Sequence, residues 1–282
     1  QVKDQADVEV QLNYSLHGPI TLIDIIGLKA YAVKCAWLEP GGAPYLASLR
    51  MDQAKSWEEF RAACNYSHIP GENMIWADKA GNIGWQAVGI APIRNNFSGL
   101  VPVPGNGTYE WDGYLPIIEK PNTFNPAKGF IATANQNVTP ENYTHWNAVG
   151  YTWSDPFRGN RIDEVLSPHD SLTLEDLTSL QVDYLSLPAR ALTPMLLKIP
   201  FQGRDNKAKS MLEDWDYRLD PHSIEAAIYT AFERELERLA HEQLVPTEVQ
   251  SFIIRINLTK LIGWLSEPTS EIFGSTPEKT RT

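Results

Sequence analysis

Cysteine is scarce: the 282 residues include only two, too few for a disulfide framework and without a CxxC pair. Cys35 falls in an apparent strand and Cys64 in an apparent helix, where free thiols ordinarily serve as small buried apolar groups. Long apolar runs are missing as well. Ile23 to Gly27 and Phe252 to Ile254 stop far short of the roughly 18 to 20 residues that cross a bilayer, so no membrane span is expected. Basic charge is in deficit: 24 Lys and Arg face 35 Asp and Glu, a net charge of −11, and the cations are scattered. Phosphate recognition needs clustered cations, so no nucleic-acid partner is expected. The histidines, His17, His68, His145, His169, His222 and His241, are dispersed, and none has HExxH or Cys/His ribbon spacing. The GxSxG elbow, the P-loop and a GxGxxG after a strand are all missing, and the PGNG at 104–107 reads as a turn. The start, QVKDQADVEVQLNYSL, has neither an apolar signal core nor an initiator Met and is expected to be a processed or excised terminus.

What is present suffices for one large core or two smaller ones, with 43% hydrophobic and 10% aromatic residues. The first half is strand-rich and the second helix-rich, with the change placed near Leu166 to Asp176, which predicts parts at 1–170 and 171–282. Val8 to Leu16 alternates apolar and polar residues, and Tyr31 to Leu38 is β-branched and aromatic; both predict strands. Ser56-Trp57-Glu58-Glu59 fits a capping box opening a helix to about Cys64. Asn73 to Ala77 and Ile83 to Val88 predict a hairpin around the Asp78 to Asn82 turn. Arg94 to Pro126, rich in Pro and Gly with interspersed aromatics, predicts an ordered irregular loop. Helices are expected over Thr173 to Tyr184, with a Thr173/Asp176 capping box, and over Asn206 to Trp215. The longest is expected from an Asp220 N-cap to about Leu244, with Ala227, Ala231, Leu236 and Leu239 on its apolar stripe and Glu233 among its solvated residues.

Several chemistry-bearing groups read as structural. Carboxylate pairs such as Asp155 with Asp163 and Asp214 with Asp216 have no spacing that places them at a glycosidase distance. Asn-x-Ser/Thr sequons, Asn13 and Asn257 among them, matter only in a glycosylating host. Two segments stand apart. NPAKGFIATANQN, Asn125 to Asn137, reads as a strand, Phe130 to Ala132, running into side-chain amides. Amides at a strand end fit a turn, where they bond nearby backbone. An Asn there can equally be a preorganised donor to the negative oxygen of a tetrahedral intermediate. Downstream, Arg158 precedes an apparent helix, Arg161 to Leu166, where a cation opposes the helix dipole and so is not placed for local stability.

The ordered set LHGPI (Leu16 to Ile20), WADKAGNIGW (Trp76 to Trp85), VPVPGNG with WDGYLP (Val101 to Pro116), NPAKGFIATANQN and FRGNRIDEVL (Phe157 to Leu166) resembles the penicillin acylase family of N-terminal-nucleophile amidohydrolases, in the middle of its large β chain. The likeness covers roughly Leu16 to Leu166 and weakens through the helical part. It implies an α+β fold, part of a four-layer αββα sandwich with an appended helical region. It implies a secreted or periplasmic enzyme cut from a single precursor, in which an exposed N-terminal serine attacks an amide and its own α-amine serves as base. The family's oxyanion-hole Asn falls on Asn135 and its orienting Arg on Arg158. A carboxylate of its structural calcium site falls on Asn147, eleven residues before Arg158, where an amide oxygen brings no charge. Tyr151 and Trp153 lie near its acyl pocket and are candidate substrate contacts. No cofactor is implied for the chemistry itself.

Residue 1 is Gln, not Ser, and the segment that the resemblance expects to carry the nucleophile is missing upstream. The chain is therefore expected to be an internal fragment, inactive alone, whose partners are the α chain, the N-terminal segment of the β chain and a small-molecule amide substrate. A carbohydrate- or peptide-binding module without catalysis is the alternative, since the nine Trp and eleven Tyr would permit stacking platforms.

Overall fold

The computed structural model describes residues 3–169, 171–269 and 272. Residue 1 and the end of the expected helical region after 272 lie outside the described residues. The chain forms two compact units. One comprises residues 1–131 with 138–152, the other residues 132–137 with 153–282, whereas the division expected from composition lay at 170/171. Helices and strands are mixed, as an α+β fold requires. No helix among the described residues is long and apolar enough to cross a membrane.

The first unit opens with an antiparallel meander of β1 (Tyr14–Ser15), β2 (Gly18–Asp24) and β3 (Lys29–Ala32). The expected strand from Val8 is cut to two residues. Before it the chain makes one ladder-like contact, from Ile20 N–H to Asn13 O, and Val8, Val10 and Leu12 are exposed. Alternation without a pairing partner does not make a strand. The expected strand to Leu38 likewise ends at Ala32, and Ala36–Leu38 is a 3-10 turn beginning after Cys35.

Two short helices follow, α1 (Ser48–Met51) and α2 (Trp57–Cys64). Ser56 caps α2 by accepting from Glu59 N–H, but the Glu59 carboxylate reaches back to Lys55 N–H, one residue beyond the reciprocal bond of a full capping box. The hairpin forms where expected, as β4 (Asn73–Ala77) and β5 (Ile83–Ala87). Its turn is closed by Asp78 Oδ1, which accepts from Ala80 and Asn82 N–H, while Gly81 takes a φ of 89° that favours glycine. The two-residue strands β6 (Ala91–Pro92) and β7 (Tyr114–Leu115) pair with each other, and β8 (Asn122–Phe124) pairs with β5. The segment expected to be an ordered irregular loop thus contributes two short strands and no long element.

The core of this unit gathers Trp57, Phe60, Ala63, Cys64, Val88 and Ile117. Gln86 is fully buried among them and satisfied: Arg61 Nε donates to its Oε1 at 2.9 Å and its Nε2 donates to Ile117 O at 3.0 Å. Burial pushes the Cys64 thiol up to about 12, so it is an inert apolar group. The short α3 (Trp146–Val149) sets Ala148 beside Ala91 and Leu115.

The second unit is helical: α4 (Phe157–Leu166), α5 (Leu174–Gln181), α6 (Leu187–Leu197), α7 (Gly203–Ser210), α8 (Ile224–Leu244) and α9 (Leu258–Ser266). Thr173 and Asp176 make the full capping box expected of α5. α7 begins and ends earlier than the pattern suggested. The N-cap of α8 is Ser223, which accepts from Ala226 N–H; Asp220 instead closes a turn with its carbonyl and pairs with Arg218. The buried side of α8 is Ala226, Tyr229 and Ala240, with Leu236 partly buried, while Ala227, Ala231 and Leu239 are exposed. Glu233 is tied to the Tyr229 hydroxyl, a correction to its expected solvated role. Around Tyr229 the core collects Leu192, Leu196, Leu212 and Trp215.

Candidate active site

Asn135 sits on a bend, and Phe130 to Ala132 is not a strand: it has no ladder partner among the described residues. The bend has a physical origin in its amides. Asn135 adopts φ +67°, a left-handed conformation that Asn tolerates better than most residues. Its carbonyl accepts from Ser154 N–H at 3.0 Å. Gln136 Oε1 accepts from Ala134 N–H at 2.6 Å, so this side chain does make the turn bond expected of such residues.

Asn135 does something else with its side chain. Arg158 Nη2 donates to Asn135 Oδ1 at 2.6 Å, and no hydrogen bond from Asn135 Nδ2 is found among the described residues. A guanidinium can only donate, so its bond to Oδ1 fixes which end of the amide is which. The free end is then a donor. Both residues are solvent-exposed. Arg158 is the second residue of α4, which begins four residues earlier than expected, and still lies at the end of the helix where a cation is unfavourable.

The position of α4 is over-determined. Asp155, just before it, accepts from Thr259 N–H at 3.1 Å and from the Thr259 hydroxyl, at the start of α9. Arg161 Nε donates to Asp183 at 2.6 Å, and Arg218 reaches the other oxygen of that carboxylate at 3.0 Å. Burial pushes Asp183 up, but these cations and the Leu185 N–H outweigh it and hold the carboxyl below its ordinary range.

Of the expected site residues, Asn135 and Arg158 are brought into contact. Trp153 lies in the same unit and is partly buried, whereas Tyr151 belongs to the first unit and is about half exposed, at 51%. Asn147, also in the first unit, donates from Nδ2 to Asn95 Oδ1 at 2.8 Å, and Asn95 Nδ2 donates to Asp112 at 2.9 Å. That chain supplies one carboxylate, already bonded, where calcium takes six to eight oxygens, and among the described residues no group of three or more His, Cys, Asp or Glu could hold a metal. The donor set at Asn147 does not fit calcium, and no step below passes through a metal.

Sequence reasoning read Asp155 as structural and Gln136 as a turn amide, and gave no role to Ser154 or Gly159. The available signal was Gly159 itself: it is the third residue of α4, and a glycine in a helix costs stability and so points to a packing reason.

The family model described as penicillin amidase matches residues 1–282. The penicillin acylase 2 proenzyme of Pseudomonas sp. (strain SE83) is 28% identical over 241 residues, 84% of this chain and 31% of that protein. The acyl-homoserine lactone acylase QuiP of Pseudomonas fluorescens (strain Pf0-1) is 33% identical over 193 residues, 62% of this chain and 23% of that protein. The penicillin G acylase of Escherichia coli is 33% identical over 164 residues, 57% of this chain and 19% of that protein. The chain thus spans a third or less of these curated relatives. Among solved structures, a thermostable penicillin G acylase from Alcaligenes faecalis superposes with a TM-score of 0.76 at 22% identity, covering 100% of this chain and 57% of that one, which shows a shared fold. With the family model matched from end to end, this chain belongs to the penicillin amidase family.

Proposed function

We propose that this chain is part of an acylase that removes an acyl group from an amide, a β-lactam, an acyl-homoserine lactone or a related compound, with Asn135 as side-chain donor to the oxyanion and Arg158 as the residue that orients it. One observation carries the reading: Arg158 holds Asn135 by its Oδ1 at 2.6 Å, which leaves Nδ2 to donate. The names of the relatives support the substrate class, since they are penicillin and acyl-homoserine lactone acylases. The strands of the first unit would belong to a four-layer αββα sandwich, and Trp153, in the unit that holds Asn135, would line the acyl pocket.

The chemistry runs through a serine freed at the N-terminus of the mature β chain, supplied by the protein that carries these residues and matured from a precursor outside the cytoplasm. Its hydroxyl oxygen forms a bond to the amide carbon and passes its proton to the serine's α-amine, whose unperturbed pKa near 8 makes that transfer cheap. The carbonyl π pair moves onto oxygen, where the Asn135 Nδ2–H group meets a full negative charge in place of a carbonyl dipole. Such a donor gains most in the transition state, so it raises kcat more than it tightens substrate binding. Collapse breaks the C–N bond, the α-ammonium returns the proton to the leaving amine, and water then hydrolyses the acyl ester.

The test is Asn135→Ala in the acylase that carries this chain, assayed on phenylacetyl and fatty-acyl p-nitroanilides. A fall in kcat of about 10²- to 10³-fold, with a much smaller change in KM, is expected for loss of one oxyanion donor. A near-normal rate would rule out the role.

A further inference from the structure

Asn135 is a non-glycine residue at φ +67°, flanked by bonds that hold its backbone without touching its side chain. Gln136 supplies the closest of them. Its side-chain amide folds back across Asn135, accepting from Ala134 N–H at 2.6 Å through Oε1 and donating to Ala132 O at 3.4 Å through Nε2. The five residues from Ala132 to Gln136, Asn135 among them, are thereby closed into a bracket.

Behind this bracket stands Gly159, which is buried. A Cβ on Gly159 would lie 2.4 Å from both Cδ and Nε2 of Gln136 and 2.9 Å from its Oε1. No side chain but hydrogen fits while Gln136 keeps its place. The glycine is costly where it is, since inside a helix it forgoes about 0.5–1 kcal/mol relative to alanine. Successive residues of a helix project about 100° apart. Adjacent positions of α4 can therefore act on two sides of one loop: Arg158 takes the Asn135 side chain and Gly159 backs the amide that sets the Asn135 backbone.

We propose that Gln136 and Gly159 are a positioning pair that fixes the left-handed turn of Asn135, and so the aim of its Nδ2. The inference rests on the reading of Asn135 as oxyanion donor. Neither residue touches the reacting atoms. Their effect is on where a donor points, and a misplacement of about 1 Å at such a group costs on the order of 10²-fold in rate.

The experiment compares Gln136→Ala, Gly159→Ala, the double variant and Asn135→Ala in the acylase that carries this chain. Each reads kcat, KM and thermal midpoint on acyl p-nitroanilides, together with hydrogen exchange at the Ala134 amide. Gln136→Ala and Gly159→Ala should each lower kcat about 10- to 100-fold with KM within about threefold, and the Ala134 amide should exchange faster in both. The double variant should have the kcat of Gln136→Ala alone, because the clash has lost its partner. Its midpoint should exceed that of Gln136→Ala, because alanine is the better helix former. A purely structural pair would not separate rate from stability in this way. If Asn135→Ala is slow while Gln136→Ala and Gly159→Ala keep the wild-type kcat, the positioning pair is overturned and the oxyanion reading stands. If Asn135→Ala keeps the wild-type rate, the oxyanion reading falls and the inference with it. Should Gly159→Ala fail to fold, Gln136→Ala decides alone: a normal kcat or unchanged exchange at Ala134 overturns the pair.

Discussion

Asn135 and Arg158 illustrate how a residue's chemistry is set by what its partner leaves over. An Asn amide offers an acceptor and a donor end, and Arg158 can engage only the acceptor. Lys120 is a second case. Its ammonium is buried and donates to Val88 O at 2.6 Å and Gly89 O at 3.0 Å, with no carboxylate in that bond set, and burial lowers its pKa from 10.5 to about 8. Below pH 8 both folded and unfolded chains hold this proton, and the folded state bears the desolvation cost. Between pH 8 and 10.5 the folded state releases it first, so the unfolded state binds more protons and stability rises with pH. Urea unfolding at pH 7.5, 8.5 and 9.5 should show that rise in the wild type and a flatter profile in Lys120→Met. An equal slope in both would contradict the assignment. In the sequence Asn135 and Arg158 were legible through their motifs, whereas Gln136 looked like an ordinary turn amide because its backing residue lies 23 positions away.

At the scale of elements, features written in a few neighbouring residues came out as expected. The Asp78 to Asn82 turn, the Ser56 cap of α2 and the Thr173 capping box each depend on a side chain bonding backbone within four residues. Strands fared worse, because a strand exists only where another chain segment pairs with it. Val8 to Asn13 and Phe130 to Ala132 have strand-like composition and no ladder among the described residues. The stripe on α8 failed differently: Ala227 and Ala231 satisfy the helical period, but Ala226 and Tyr229 are the residues that face the core. The packing of β5 on α2 gives a direct test. A Cβ on Gly84 would lie 2.5 to 2.9 Å from three atoms of the Trp57 ring, which also stacks on Phe60 and Phe124. Gly84→Ala should therefore cost about 1–3 kcal/mol of stability by chemical denaturation and alter Trp57 fluorescence. A cost under about 0.5 kcal/mol, the size of an ordinary surface change, would show that the ring moves freely.

At the scale of the molecule, distant segments fix the helix that carries Arg158. Asp155 and Thr259 are 104 residues apart in sequence, and their bonds hold the start of α9 to the start of α4. Asp155 serves α9 as a cap from outside, satisfying the N–H of Thr259 while Asn257 accepts from Lys260 N–H. Asp155→Ala should destabilise the helical unit by about 0.5–2 kcal/mol, the range for losing a cap, and expose the Val245 to Asn257 segment to proteolysis. Unchanged stability and cleavage would show that Asn257 suffices alone. By itself the sequence determined the α+β character, the local caps and turns, the scarcity of clustered cations and the family, because each is encoded in composition or in short ordered motifs. Only the tertiary structure decided that Gln136 and Gly159 meet, that Asp155 reaches Thr259 and that Asn135 turns its oxygen to Arg158. Those contacts join side chains that chain-local patterns cannot pair, and they form only when the helices have packed.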